Sequence, residues 1–396
     1  MFPTDVVIVA GARTPMSRYT GSFSDVSAID LAVHASKEAI RRSGVDPGDF
    51  DHAIFGNVIQ TSADALYGAR HVGLKAGLKI ETPAVTVNRL CGSGMESIAQ
   101  AAQRLLLGEA TMVLAGGMEN MTQAPFVVRG ARTGLKLGGG ALEDTLMAGL
   151  TDSYCGLPMA LTAEKLAEEY RITRADADAY ALRSQQAADA AYKACRRKDE
   201  LVAVEVKHGK KSITVTEDDH RRPETTLETL ARLPPSFKKD GIVTAGNASG
   251  IVDGAAAVVV TREKTARERG LKPVGRIVAW AVAGVDPSIM GIGPVPSSQK
   301  ALKLAGLTLE QMDRVEVNEA FAAQYLAVEK ALGLNRDKTN VNGGAIALGH
   351  PLGATGTRLV ITILNELRRN NLRYGLAIAC IGGGQGIAMI VEALYN

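Results

Sequence analysis

The chain has 396 residues, 46% hydrophobic and 22% charged, with a net charge of +3 from interleaved acids and bases. That length calls for two or three domains. The charge pattern excludes a nucleic-acid-binding tail, and no apolar run is long enough for a membrane span.

The four cysteines are Cys91, Cys155, Cys195 and Cys380. Their spacing suits neither a structural zinc site nor a disulfide framework. The N-terminal residues lack an export or transit pattern, so a reducing, cytoplasmic setting is expected.

In chain order, Val6 to Ala10 reads as a buried strand, followed by a turn at Gly11 to Pro15. Ala28 to Ser43 has helical apolar spacing and stops at Gly44. A strand at Ala53 to Val58 follows. Val85-Thr86-Val87 is a further strand, and a helix from about Met95 ends at Gly108. Between that strand and that helix lies Cys91, followed by Gly92-Ser93-Gly94. A thiol at a helix N-terminus faces orphan N–H groups and the positive end of the macrodipole, which favour its nucleophilic thiolate. The other reading is a buried structural cysteine.

Thr111 to Gly117 is another strand. Strands alternating with helices argue an α/β layered fold. From Glu119 to Gly246 the pattern becomes loop-rich. It has helices at Thr162 to Tyr170 and Arg174 to Arg197, and a basic turn at Lys207 to Lys211. Asp253 to Thr261 returns to a buried strand.

The last third repeats the grammar of the first. A helix ends at Ser43-Gly44 and another at Ala305-Gly306, and an aspartate follows each glycine, Asp51 and Asp313. Val87-Asn88 and Val341-Asn342 each precede a small-residue loop and a helix, the second near Gly356 to Arg368. Leu114 to Gly117 and Ala379 to Gly383 both end in glycines. Three such phrases in one order argue internal duplication.

Three later stretches carry candidate chemistry: Asn318-Glu319-Ala320-Phe321, Gly343 to Gly356 with His350, and Cys380 to Gly386. Singly, each has a structural explanation. With Cys91 they supply a nucleophile, a base, a second acid/base and a polar anchor.

The five motifs V-N-R-L-C-G-S-G (87–94), T-A-G-N-A-S-G (244–250), N-E-A-F (318–321), G-G-A-I-A-L-G-H-P-L-G-A-T-G (343–356) and C-I-G-G-G-Q-G (380–386) resemble those of thiolases. The resemblance implies a thiolase fold: two duplicated α/β layered domains, at 1–118 with 250–270 and at 271–396. An inserted loop domain at 119–249 would take part in CoA binding and tetramer contact. It implies a homotetramer, built as a dimer of dimers, acting on acyl-CoA and CoA with no metal or redox cofactor. By matching position, Cys91 accepts the acyl group, His350 activates it, and Cys380 is the acid/base at the α-carbon. Asn318 would hold a water that forms one oxyanion hole with His350, and the amides of Cys91 and Gly382 the other. Arg222 and Ser249 match positions touching CoA, and Met159, Ala245 and Phe321 match the pantetheine tunnel. Two alternatives share the fold. A decarboxylating condensing enzyme would carry a histidine where Cys380 stands. A non-catalytic acyl-CoA carrier would have lost one of the reactive residues.

Overall fold

The computed structural model describes residues 2–208 and 211–395. Nine strands form the body of one long sheet: β1 (Val6–Arg13), β2 (His52–Gly56), β3 (Ala84–Val87), β4 (Met112–Glu119), β5 (Val252–Arg262), β6 (Gly275–Gly284), β7 (Arg314–Val317), β8 (Tyr374–Ile381) and β9 (Gln385–Ala393). Their spatial order is β7-β8-β9-β6-β1-β5-β4-β2-β3. The principal helices are α1 (Ala28–Ser43), α2 (Gly68–Ala76), α3 (Ser93–Leu107), α4 (Met159–Glu169), α5 (Arg174–Lys193), α6 (Pro294–Ala305), α7 (Ala322–Leu332) and α8 (Leu352–Arg369).

The duplication is visible in strand polarity. Outward from the centre, β1 is antiparallel to β5, β5 antiparallel to β4, and β4 parallel to β2. In the other half β6 is antiparallel to β9, β9 antiparallel to β8, and β8 parallel to β7. A parallel bridge between Val315 and Thr339 takes the place that β3 holds beside β2. The halves meet where β1 pairs with β6 at Val7 and Ile8. The helix stops repeat too: α1 and α6 end on Gly44 and Gly306, with φ of 71° and 66°, a left-handed conformation that glycine adopts without a side-chain penalty.

The layers follow from which faces are apolar. Ile98, Ala102 and Leu105 of α3 and Leu359, Ile363 and Leu367 of α8 form the central core with inward residues of both half-sheets. The outer face of the first half packs against α1 and α2, and that of the second against α4 to α7. The close crossing of α3 and α8 depends on glycine. A Cβ on Gly356 would stand 2.3 Å from the Met95 amide nitrogen. Each such burial contributes about 25 cal/mol per Å² of apolar surface.

Some boundaries move. The strand expected to reach Val58 ends at Gly56, where the chain turns so that Glu119 can accept from the amides of Val58 and Ile59. The helix expected to reach Arg197 ends at Lys193, because Cys195 has φ of +55°. The helix expected from Gly356 begins at Leu352: Pro351 caps it, a place where a missing N–H costs nothing. Of the basic turn at Lys207 to Lys211, Gly209 and Lys210 lie outside the described residues. Their flanks pair as antiparallel strands, Val204–His208 with Lys211–Val215.

Among the described residues no helix is long and apolar enough to cross a membrane, and no three His, Cys, Asp or Glu are grouped to hold a metal ion. All four cysteines are free thiols.

Candidate active site

Cys91 sits in a tight turn between β3 and α3, one residue before the N-cap Gly92. Leu90 before it has φ of +45°, a strained conformation for a branched side chain. Ser93 holds the turn: its Oγ donates to the Leu90 carbonyl at 2.7 Å and accepts from the Arg89 amide at 2.8 Å. Gly92 lets the turn touch the second cysteine's strand, since a Cβ there would lie 2.6 Å from Ile381 Cδ1. Arg89 reaches the same region, donating to Gln385 Oε1 at 3.0 Å. The first and last of the five motifs therefore meet.

Cys380 is the next-to-last residue of β8 and is fully buried, packed with Met290 and Ala320 and flanked by Met159 and Phe321. Burial, with Cys91 nearby, pushes its thiol far above the usual range. The Cys91 thiol is pushed up to about 11, chiefly by desolvation; the amides of Gly382 and of Cys91 itself reach the sulfur and pull the other way. This corrects the expectation of a preformed thiolate. The helix entry is present, but removal from water outweighs it, so the resting sulfur is protonated.

His350 follows Gly349 in the loop before α8, and its amide donates to the Gly250 carbonyl at 2.9 Å. The ring is buried. Its Nε2 lies 3.3 Å from Asn318 Nδ2, and its Nδ1 lies 2.6 Å from Thr355 Oγ1. Burial, with the Arg358 charge, lowers its pKa to about 3, so the imidazole is neutral across the physiological range. Asn318 is fully buried, and its Oδ1 has no hydrogen-bond partner. An orphaned buried acceptor is the kind of group that binds a water or a substrate donor.

Glu319, next to Asn318, turns away from the site. It accepts from Tyr180, Ser184, Asn340 and the Ile346 amide, which fastens the loop to α5. The 244–250 segment is sewn to the same loop: the Ser249 amide donates to the Ala320 carbonyl at 3.0 Å, and the Ala322 amide to the Asn247 carbonyl at 2.8 Å.

These elements surround a cavity of about 550 Å³. Arg222, Ala245, Ser249, Met159, Phe321 and His350 all line it. Cys91 packs at its inner end against Ile59, Met121, Leu146 and Leu352. Gly382 stands between Met159 and Leu90, where a Cβ would come within 3.3 Å of each. Six of the ten candidate residues thus line one pocket, and Cys91, Asn318, Cys380 and Gly382 lie against residues that line it.

Two functional neighbours escaped sequence reading. Thr355 is the partner of His350. Glu119 is a fully buried carboxylate whose oxygens accept from the amides of Val58, Ile59 and Gly353 and from Asn57 Nδ2. It ties the loop after β2 to the first turn of α8, and burial raises its pKa to about 7. Its signal in the sequence is slight: an acid at the end of a buried, glycine-containing strand.

A thiol and a neutral imidazole with preset amide donors at the end of a tunnel describe a thiol-dependent acyl-transfer site. Family models for the N-terminal and C-terminal thiolase domains match residues 6–264 and 271–393, and the chain belongs to the thiolase family. It is 54% identical over 389 residues to the human mitochondrial 3-ketoacyl-CoA thiolase, covering 98% of each chain. It is 46% identical over 387 residues to an acetyl-CoA acetyltransferase of Pseudomonas aeruginosa, covering 97% of this chain and 98% of that one. The crystal structure of the human mitochondrial 3-ketoacyl-CoA thiolase in complex with CoA superposes with a TM-score of 0.96 at 53% identity, covering 98% of both chains.

Proposed function

We propose that this chain is an acyl-CoA C-acyltransferase. It runs the reversible thiolysis of acetoacetyl-CoA and longer 3-ketoacyl-CoAs through a Cys91 acyl-enzyme. The observation that carries this is that three of the five sequence-distant motifs line one cavity, while the other two bring Cys91 and Cys380 against its lining.

In thiolysis, the Cys91 proton passes to His350 Nε2 as the sulfur attacks the 3-keto carbon. The bond between C2 and C3 then breaks, leaving an acyl-enzyme and the enolate of acetyl-CoA. Cys380 gives its proton to C2, and the proton held by His350 restores the Cys380 thiol. CoA then enters, loses its thiol proton to His350 and attacks the acyl group, and Cys91 leaves and takes that proton back. Negative charge on the oxygen of the attacked carbonyl, the 3-keto oxygen in the first attack and the acyl-thioester oxygen in the second, is met by the amides of Cys91 and Gly382. The enolate oxygen is met by His350 and a water held at Asn318. Each preset donor contributes roughly 3–4 kcal/mol to the transition state.

The apolar surround of the thiol supports the longer substrates. Met147, Leu150 and Pro158 line the cavity, with the donor-free ring of Pro158 in its wall. The cationic Arg222 at the outer part suits the phosphates of CoA. Two surfaces support the homotetramer. The edge strand β3 is only half-buried, beside exposed Leu66 and Tyr67, and Phe126, Leu135, Leu137 and Leu142 stand out in the stretch after β4. This reading treats 1–118 with 250–270 and 271–396 as the duplicated domains and 119–249 as the insertion. It needs a compartment that keeps both thiols reduced.

The test is direct. Adding CoA to the enzyme with acetoacetyl-CoA and magnesium should abolish the enolate absorbance. Persistent absorbance with CoA bound would favour a carrier instead.

A further inference from the structure

A second cavity lies away from the tunnel and shares no lining residue with it. It encloses about 660 Å³. It opens where the long sheet splits. β1 pairs with β6 only at Val7 and Ile8, and beyond them the two strands part. Val9 to Gly11 form one wall, and the C-terminal half of α8 forms the other.

The floor is apolar, made by Ile8, Val274, Ile361 and Leu364. The rim is cationic. Arg41 and Arg42 pair with Glu38, and Arg369 pairs with Asp199. Lys198, Lys272 and Arg368 also line the cleft and make no ion pair among the described residues. The Asn365 Nδ2 amide, on the same wall, is buried and has no acceptor. Basic residues at the ends of α1 and α8 offset the helix dipoles. That does not account for Lys198 and Lys272, which come from loops, or for the orphaned amide.

We propose that this cleft is a binding site for a nucleoside polyphosphate, separate from the CoA tunnel. The apolar floor suits a flat base, the Asn365 amide suits an acceptor on the base or sugar, and the unpaired cations suit the phosphates. The volume falls in the range of small-molecule sites, roughly 300–1,000 Å³, which favours a nucleotide over an acidic protein segment. The residues of α8 that line it, Ile361 to Arg369, stand about 9 to 21 Å along the helix from Thr355, at 1.5 Å per residue.

The assignment rests on the thiolase reading only in that CoA, itself a nucleotide, must be kept apart from it. The test is calorimetric titration of the full chain with ATP and with pyrophosphate, in the presence of saturating CoA. ATP should bind at one site per chain. Lys272→Glu and Arg368→Glu, both at exposed positions, should each weaken ATP by at least about tenfold while thiolysis turnover stays unchanged. Three outcomes would overturn the proposal: no ATP binding once CoA fills the tunnel, undiminished ATP binding in both variants, or poly-glutamate binding as tightly as ATP. Loss of thiolysis in the parent protein would refute the acyltransferase reading and leave this titration unaffected.

Discussion

His350 Nδ1 lies 2.6 Å from Thr355 Oγ1, and the same hydroxyl donates to the Pro351 carbonyl at 3.0 Å. A hydroxyl has one hydrogen to give. With that hydrogen on the carbonyl, the imidazole must donate from Nδ1, which leaves Nε2 bare to take a proton. Thr355→Val removes the acceptor and frees the ring to adopt the other tautomer. We expect turnover to fall by about 10²-fold, with KM for CoA little changed, and Thr355→Ser to retain most activity. Steady-state thiolysis with a thermal melt checks this. Parent-like turnover in a folded Thr355→Val would show that the tautomer is set by something else.

The thiol and the imidazole should both be neutral at rest. Burial lifts Cys91 to about 11 and lowers His350 to about 3. A thiol with a raised pKa gains thiolate only as pH rises, so the rate of Cys91 alkylation by iodoacetamide should climb between pH 7 and 10 without levelling off. Mass spectrometry of the Cys91 peptide gives that rate. A plateau beginning below pH 7 would mean a preformed thiolate.

Chain length should be set by the apolar side chains around Cys91. Leu150 packs against this cluster and lines the cavity. Leu150→Trp fills space that an acyl chain needs. Since one methylene in such a pocket contributes about 1–3 kcal/mol, kcat/KM for 3-ketooctanoyl-CoA should drop at least about tenfold more than for acetoacetyl-CoA. Equal losses on both substrates would place the acyl chain elsewhere, and a parent enzyme restricted to four carbons would remove the premise.

Much of the site could be read from the sequence because the chemistry sits in compact motifs. Cys91, His350 and Cys380 each stand among glycines, and Gly92 and Gly356 allow contacts that a Cβ would block. The duplication was legible for the same reason: Gly44 and Gly306 stop equivalent helices. Glu119 was not legible. Its meaning lies in amide donors from residues 58, 59 and 353, which only the fold assembles. Thr355 lay inside a recognised motif, but nothing in its spacing names its partner. The thiol's protonation was misread because helix position is a local feature, whereas desolvation depends on everything packed around Cys91.

Stability should depend on a buried charge cluster at the end of β1. Arg13 at the end of β1 is fully buried and pairs with Glu200 at 2.8 Å and Asp218 at 2.7 Å. Beside Arg13 and Arg197, Glu200 is held at about 2 despite its burial. Arg13→Ala leaves two buried carboxylates short of a partner and should cost about 3–5 kcal/mol. Urea unfolding followed by circular dichroism measures this. A change below about 1 kcal/mol would show that water replaces the guanidinium.

In the proposed reaction the two cysteines divide the work, with Cys91 holding the acyl group and Cys380 moving the proton at the α-carbon. Acyl transfer from acetyl-CoA requires no proton at that carbon, whereas condensation does. The deciding measurement is acid-quenched labelling of folded Cys380→Ala with radiolabelled acetyl-CoA, followed by peptide mapping and a condensation assay. We expect label on Cys91 and condensation reduced by orders of magnitude, with Cys91→Ala losing both. Absence of label from Cys91, or condensation at the parent rate, would contradict that division of work.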